Sequence, residues 1–172
     1  MKHLHSNSEI RIRNSIIPAI FIGITLSITI FSLSLIHIYI IPIAKFIVFS
    51  SFASSSFLLF MEPHQESSRI SKFVKSYIIS GVCGIIGFFV SLHIGLYPTL
   101  AMVETVVALL LVAFQAMHPP AMGIAVVFIL ERANVFALLF LFTGMLLIII
   151  FDRFLNKFVY IIEDEFKIEP QK

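Results

Sequence analysis

The chain has 172 residues, 59% of them hydrophobic and 13% charged, a mean hydropathy of +1.02 and a formal net charge of +2. Soluble domains carry about a quarter charged residues, so this composition excludes a soluble enzyme, a disordered chain and a disulfide scaffold. Net charge +2 with no basic patch argues against a nucleic-acid partner, and the single Cys83 allows neither an internal disulfide nor a zinc cluster.

Five stretches contain no Asp, Glu, Lys or Arg: Asn14–Ala44, Phe46–Met61, Ser76–Val103, Thr105–Leu130 and Ala133–Phe151. Runs of this length and polarity read as membrane helices. Residues 1–14 form a short N-terminal tail. Lys2, Arg11 and Arg13 precede an apolar run too long for a signal-peptide core, and no small-x-small cleavage site follows it. The expected first segment is therefore a retained helix, Ser15–Ile38. Pro42 and Lys45 mark a turn before segment two, Phe46–Phe60. A polar loop, Glu62–Ser71, leads to segment three, Phe73–Leu96. Segment four, Thr99–Ala116, stops at His118-Pro119-Pro120. Segment five, Ala121–Leu130, is too short to span alone, at about 15 Å of helix. Segment six is Val135–Phe151, and residues 152–172 are a juxtamembrane tail. In that tail Phe154, Phe158, Ile161, Ile162 and Phe166 fall near one face, the pattern of an interfacial amphipathic helix or of a plain helix extension.

Basic residues choose the orientation. With six crossings and a cytoplasmic N-terminus, ten Lys and Arg lie inside and only Lys45 and Arg132 outside. If segments four and five form one interrupted helix, the division is seven to five. Charge thus favours six segments with both termini cytoplasmic, and the expected class is an all-α polytopic membrane bundle of five or six segments.

Ser76, Ser80 and Gly84, and then Gly87, Ser91 and Gly95, place small residues at four-residue spacing on segment three, which lets helices approach closely in lipid. Segment two carries Ser50, Ser51, Ser54, Ser55 and Ser56; these hydroxyls serve either helix packing or a wet path. His37 and His93 lie near segment ends, and Glu104 is the one acid within an apolar segment, so it either snorkels or works.

Two breaks carry most of the functional information: Glu62-Pro63-His64 and His118-Pro119-Pro120. Two prolines stop a helix and leave a new one to start at Ala121. Irregular backbone at membrane depth persists only within protein or beside a cavity. Short, Pro-interrupted segments point to a transporter site, and unpaired N–H groups at a helix start favour an anion. A protonated His118 would strengthen that anion, and the alternative role for either histidine is a loop cap. No His-Glu-x-x-His, Gly-x-Ser-x-Gly, phosphate loop or dinucleotide fingerprint occurs, so no enzyme activity, metal or cofactor is expected.

His118-Pro119-Pro120-Ala121-Met122-Gly123 resembles the motif that names the HPP family of integral membrane proteins. Ser51-Phe52-Ala53-Ser54-Ser55, Leu58-Leu59-Phe60 and Pro63-His64 resemble that family's first signature, and Tyr77, Ser80 and Gly84 its next helix. The resemblance covers Val48–Leu130. After Pro63-His64 the family's further prolines are replaced by Gln65-Glu66, with Arg69 as the loop's cation. The resemblance implies a transporter, and relatives in plant plastids and cyanobacteria are associated with nitrite.

The functional expectation is a transporter or channel-like permease for a small anion, with a substrate site at His118, Pro119, Pro120 and Ala121, joined by His64, Ser51, Ser55 and Arg69. Its partners are the lipid bilayer and the anion, its location a bacterial inner membrane, and its few helices point to a homo-oligomer. A non-transporting membrane scaffold or assembly protein is the rival from another class. An intramembrane enzyme built on His118 and Glu104 is a third.

Overall fold

The computed structural model describes residues 17–39, 48–62 and 65–165. Six α-helices and two short 3-10 turns account for almost all of them, and no strand occurs among the described residues. The helices are α1 (Ile17–Tyr39), α2 (Val48–Met61), α3 (Ile70–Ile94), α4 (Leu96–Ala113), α5 (Met122–Leu130) and α6 (Val135–Glu165). The 3-10 turns are Glu66–Ser68 and Pro119–Ala121. Among the described residues, three stretches are long and apolar enough to cross a membrane: Ile70–Ile94, Leu96–Ala113 and Val135–Phe154.

Neighbouring helices alternate in direction. Ser68 Oγ donates to the Leu58 carbonyl and Ser55 meets Tyr77, so α3 returns along α2. Gly87 faces Val103, while Ile79 and Cys83 pack on the cluster holding Val107 and Leu111, so α4 runs back along α3. Tyr77 lies beside His118, Gly84 beside Ala125 and Gly87 beside Ile129, so α5 runs with α3 and against α4. Phe52 abuts Gly144 and Phe60 packs with Phe151, which sets α6 parallel to α2. Leu33 shares the Gly144–Phe52 contact and Ile22 packs with Phe60, which sets α1 antiparallel to α2. The expected alternative of one interrupted helix is thereby corrected: α4 and α5 form a hairpin. At nine residues, or about 14 Å, α5 covers less than half of a ~30 Å hydrocarbon layer.

Both ends of the α5 segment are built by backbone geometry. Ala116 N–H bonds to Leu111 O and Gln115 N–H to Val112 O, with Gln115 at φ 50°. Ala133 N–H bonds to Phe128 O and Arg132 N–H to Ile129 O, with Arg132 at φ 53°. These are paired Schellman closures with a left-handed residue at C′. Helix α4 therefore ends before the prolines, and Pro119-Pro120 govern only where α5 begins.

Helices α3 and α5 meet through the first small-residue row: Ser76, Ser80 and Gly84 are buried, as are Gly81 and Gly87. The second row is looser, since Gly95 is exposed and ends α3 at φ 86°. With lipid tails as apolar as the side chains, such close backbone contact and buried hydrogen bonds hold helices together. Helix α6 passes Asp152 without a break, so the tail begins as its continuation. The Phe158, Ile161 and Ile162 side chains and Phe166 lie outside the described residues, as do Pro42, Lys45, Pro63 and His64.

A Cβ on Gly84 would sit 2.6 Å from Phe128 Cβ and 3.0 Å from the Ala125 Cα and carbonyl oxygen, while one on Gly23 meets nothing within 4 Å. Gly84→Ala should therefore cost about 1–3 kcal/mol by overpacking. Gly23→Ala should be neutral or slightly stabilising, because alanine is the better helix former. Thermal unfolding in detergent, compared with wild type, checks both.

Candidate functional site

His118 precedes the Pro119–Ala121 turn with extended backbone, φ −138° and ψ 91°. That direction carries its ring inward to 0% exposure. Nδ1 lies 2.7 Å from the Ser67 carbonyl oxygen and Nε2 lies 2.8 Å from Ser55 Oγ. A carbonyl can only accept, so Nδ1 carries the proton. In the neutral ring Nε2 is then an acceptor, and Ser55 donates to it. Ser55 Oγ is also 2.7 Å from the Tyr77 hydroxyl, and with its own proton committed it accepts from Tyr77. One directed chain runs Tyr77 to Ser55 to His118 to Ser67, joining α3, α2, the α4–α5 break and the α2–α3 loop.

Aromatic rings enclose this chain. Phe73 packs edge-on to both Tyr77, at 4.7 Å, and His118, at 5.3 Å, and Phe52 stacks on Tyr77 at 5.5 Å. Phe52, Phe73, Tyr77, Ser55 and His118 are all at 0% exposure. Burial pushes the His118 imidazole below its usual value of 6.5, with the Ser67 bond pulling the other way. At the adjoining surface the buried Lys72 ammonium pairs with the exposed Glu66 carboxylate, whose pKa is lowered by that hydrogen bond and charge.

The sequence-predicted residues divide. His118 and Ser55 are in direct contact. Ser51 is buried one turn away on α2, where a Cβ on Gly123 would approach its hydroxyl to 3.3 Å. Ala121 is buried, Pro120 half-buried and Pro119 exposed. Arg69 caps the start of α3 and its side chain is exposed, outside the network. His64 lies outside the described residues. Tyr77, Ser67 and Phe73 complete the cluster, although none entered the expected site. A tyrosine hydroxyl within an apolar helix calls for a polar partner, and that was the available signal for Tyr77.

The first donors at the start of α5 are already bonded or missing. Pro119 and Pro120 have no N–H, Ala121 N–H bonds to the His118 carbonyl at 3.0 Å, and Met122 N–H bonds to that of Pro119. The network is complete with a neutral His118 ring, with Nδ1 as donor and Nε2 as acceptor. Ser55 and His118 have the spacing of a nucleophile and its base, yet both are fully buried and surrounded by aromatic rings. Glu104 sits nine residues from the end of α4, roughly 13 Å from the His118 level, so the two do not form one centre. An open groove of about 670 Å³ runs outside the cluster, lined by Ala53, Ser54, Phe57, Leu58, Pro119 and Pro120.

The family described as HPP, transmembrane region, matches residues 10–161. No curated protein and no solved structure matches the chain.

Ser55→Ala strands two buried groups, His118 Nε2 and the Tyr77 hydroxyl, and should cost about 2–4 kcal/mol; Tyr77→Phe removes only the outer donor and should cost about 0.5–1.5 kcal/mol. Denaturation of both variants in one detergent checks the order. The folded pKa of His118 lies below the unfolded ~6.5, so the unfolded chain binds more protons between the two values. Stability from this residue is full above pH ~6.5 and falls with pH toward the folded pKa. Stability measured against pH should show that acid loss in wild type and a smaller one in His118→Gln.

Proposed function

The chain belongs to the HPP transmembrane family, and from that premise we propose that it is an integral-membrane permease for a small anion, with nitrite the first substrate to test. The observation that carries this reading is the α4–α5 hairpin, a short helix and an irregular turn held inside the bundle by a buried histidine. Non-helical backbone of this kind is a recurrent feature of transporter binding regions. The choice of an anion rests on family resemblance.

In this reading His118 positions the break and does not ligate substrate. Ser55, Ser67 and Tyr77 hold His118, and Ser51 and Ala121 set the distance between α2 and α5. Pro119 and Pro120 form one wall of the outer groove. Arg69, exposed at the same end of the bundle, attracts anions toward it. His64 remains a candidate for the same mouth through its place in the Glu62–Ser71 loop. We assign the protein no catalytic activity. We place it in a bacterial inner membrane with both termini cytoplasmic, and we read it as a homo-oligomer.

A membrane scaffold is the second reading. One observation favours it: both ring nitrogens of His118 are already bonded within the protein.

Anion uptake into proteoliposomes separates the two. Wild type should take up nitrite, or another small anion of a panel, well above protein-free vesicles. Pro119→Ala/Pro120→Ala, reconstituted at equal abundance, should lose at least tenfold of that flux, because the constraint on where α5 starts is gone. Equal flux from the double variant removes the break from the mechanism, and no flux of any anion with wild type leaves the scaffold.

A further inference from the structure

Helix α3 turns one stripe outward: Lys75, Ile78, Val82, Ile86 and Phe89, all exposed and spaced by three and four residues along a single face. Four of the five are large and apolar, as contact with lipid tails requires. Lys75 is the exception. It lies five residues into α3, about 7.5 Å from the helix start. Its side chain leans toward the N-terminus of the helix. The ammonium is thereby carried back toward the level of the α2–α3 loop, while the methylene stem stays against the apolar stripe.

This cation is uncompensated within the protein. Lys72, one turn earlier, pairs with Glu66, and no carboxylate pairs with Lys75 among the described residues. Nor does the end of α4 call on Lys75 as a cap. Leu110 O already accepts from Phe114 N–H, Leu111 O from Ala116 N–H and Val112 O from Gln115 N–H, so the last turn is closed by backbone alone.

Lys75, Ile78 and Ile79 of α3 and Phe114 at the end of α4 line an open groove of about 270 Å³. Phe114 is 62% exposed, while Ile79 is half-buried against the cluster of Val107, Leu111 and Ala116. The groove therefore has apolar walls fixed to the core and one cation at its mouth. It is too small to seat a neighbouring helix, about 10 Å across. An acyl chain fits it, and the phosphate of the same molecule then meets the ammonium. A zwitterionic headgroup brings its own cation to that phosphate and gains little from a second. A headgroup of net negative charge gains the full attraction.

We propose that the α3–α4 groove binds one phospholipid of net negative charge, with its phosphate at Lys75 and one acyl chain along Ile78, Ile79 and Phe114. The site lies outside the His118 cluster and does not depend on anion transport. A lipid held there ties α3 to the end of α4, beside the turn that leads to Pro119-Pro120.

The chain contains no tryptophan, so Phe114→Trp places a single fluorophore in the groove. Reconstituted in phosphatidylcholine vesicles, this variant is titrated with a minor fraction of lipid brominated in its acyl chains. Brominated phosphatidylglycerol should associate about fivefold more strongly than brominated phosphatidylcholine, the attraction of one interfacial cation, and added salt should reduce the preference. Lys75→Gln in the same background should make the two lipids quench equally. Lys75→Arg should retain the preference, as should Lys157→Gln, which removes a cation outside the groove. On the chain with its native Phe114, added phosphatidylglycerol should raise Tm in detergent saturably and by more than phosphatidylcholine does, and Lys75→Gln should remove that difference. Equal quenching by both lipids before Lys75 is changed overturns the site, the outcome expected of a lysine that merely snorkels to water. So does a preference that survives Lys75→Gln. The readouts are lipid binding and stability, so a failure to transport anions leaves this result untouched.

Discussion

The two-sided bond of the His118 ring is the constraint on which the arrangement turns. Its nitrogens reach Ser67, 51 residues back, and Ser55, 63 residues back. One side chain thus fixes the α2–α3 loop and α2 against the point where the chain reverses between α4 and α5. The neutral ring fits it with Nδ1 donating to the carbonyl and Nε2 accepting from Ser55, and in that state Ser55 and Tyr77 have their proton directions set. Burial among Phe52, Phe73 and Tyr77 reinforces the same neutral form by penalising the cation. Packing and hydrogen bonding therefore select one tautomer together, and neither would do so alone on an exposed loop.

The helices around this point are short for a membrane protein. Helix α2 has 14 described residues and α5 has nine. Neither brings the hydrophobic length that makes a long span stable in lipid unaided, so lateral contacts must do more. They do so through small residues. Gly81, Gly84 and Gly87 bring α3 against α5 and α6, and Gly144 brings α6 within reach of Phe52 and Leu33. Phe52 is the common element, since it fills the space above Gly144 on one side and stacks on Tyr77 on the other. The glycine contacts and the histidine network are in this sense one packing unit.

Much of this was legible in the chain. Charge-free runs located the six helices to within a few residues, except that α6 runs on past Phe151 to Glu165, and Pro119-Pro120 located the break. Ser51 and Ser55 came forward with the family resemblance and not from spacing, since Ser50 and Ser54 share the same four-residue interval and are exposed. The partner of His118 was not readable: Ser67 contributes a backbone carbonyl, which every residue possesses, and so leaves no trace in side-chain type. The end of α4 was misjudged for a related reason, while that of α5 at Leu130 was placed correctly. Gln115 and Arg132 adopt left-handed backbone where glycine is the usual signal, and the 3-10 turn at Pro119–Ala121 consumes donors that the bare sequence leaves open. The direction of α5 was favoured by the division of Lys and Arg but not by local pattern, which hairpin and interrupted helix share, and contacts with α3 settle it.

Helix α2 carries two adjacent buried serines of opposite character. On the Ser55 side every hydrogen-bonding group of the network has a partner, and the surroundings are aromatic and closed. The Ser56 hydroxyl, equally buried, has none. Successive helical residues are turned by about 100°, so Ser55 and Ser56 cannot exchange faces without rotating the whole helix. Such a rotation would break the Ser55–His118 bond and leave both His118 Nε2 and Tyr77 unsatisfied in a buried site, at a cost of about 1–3 kcal/mol for each group. The satisfied side thereby holds the unsatisfied side in place.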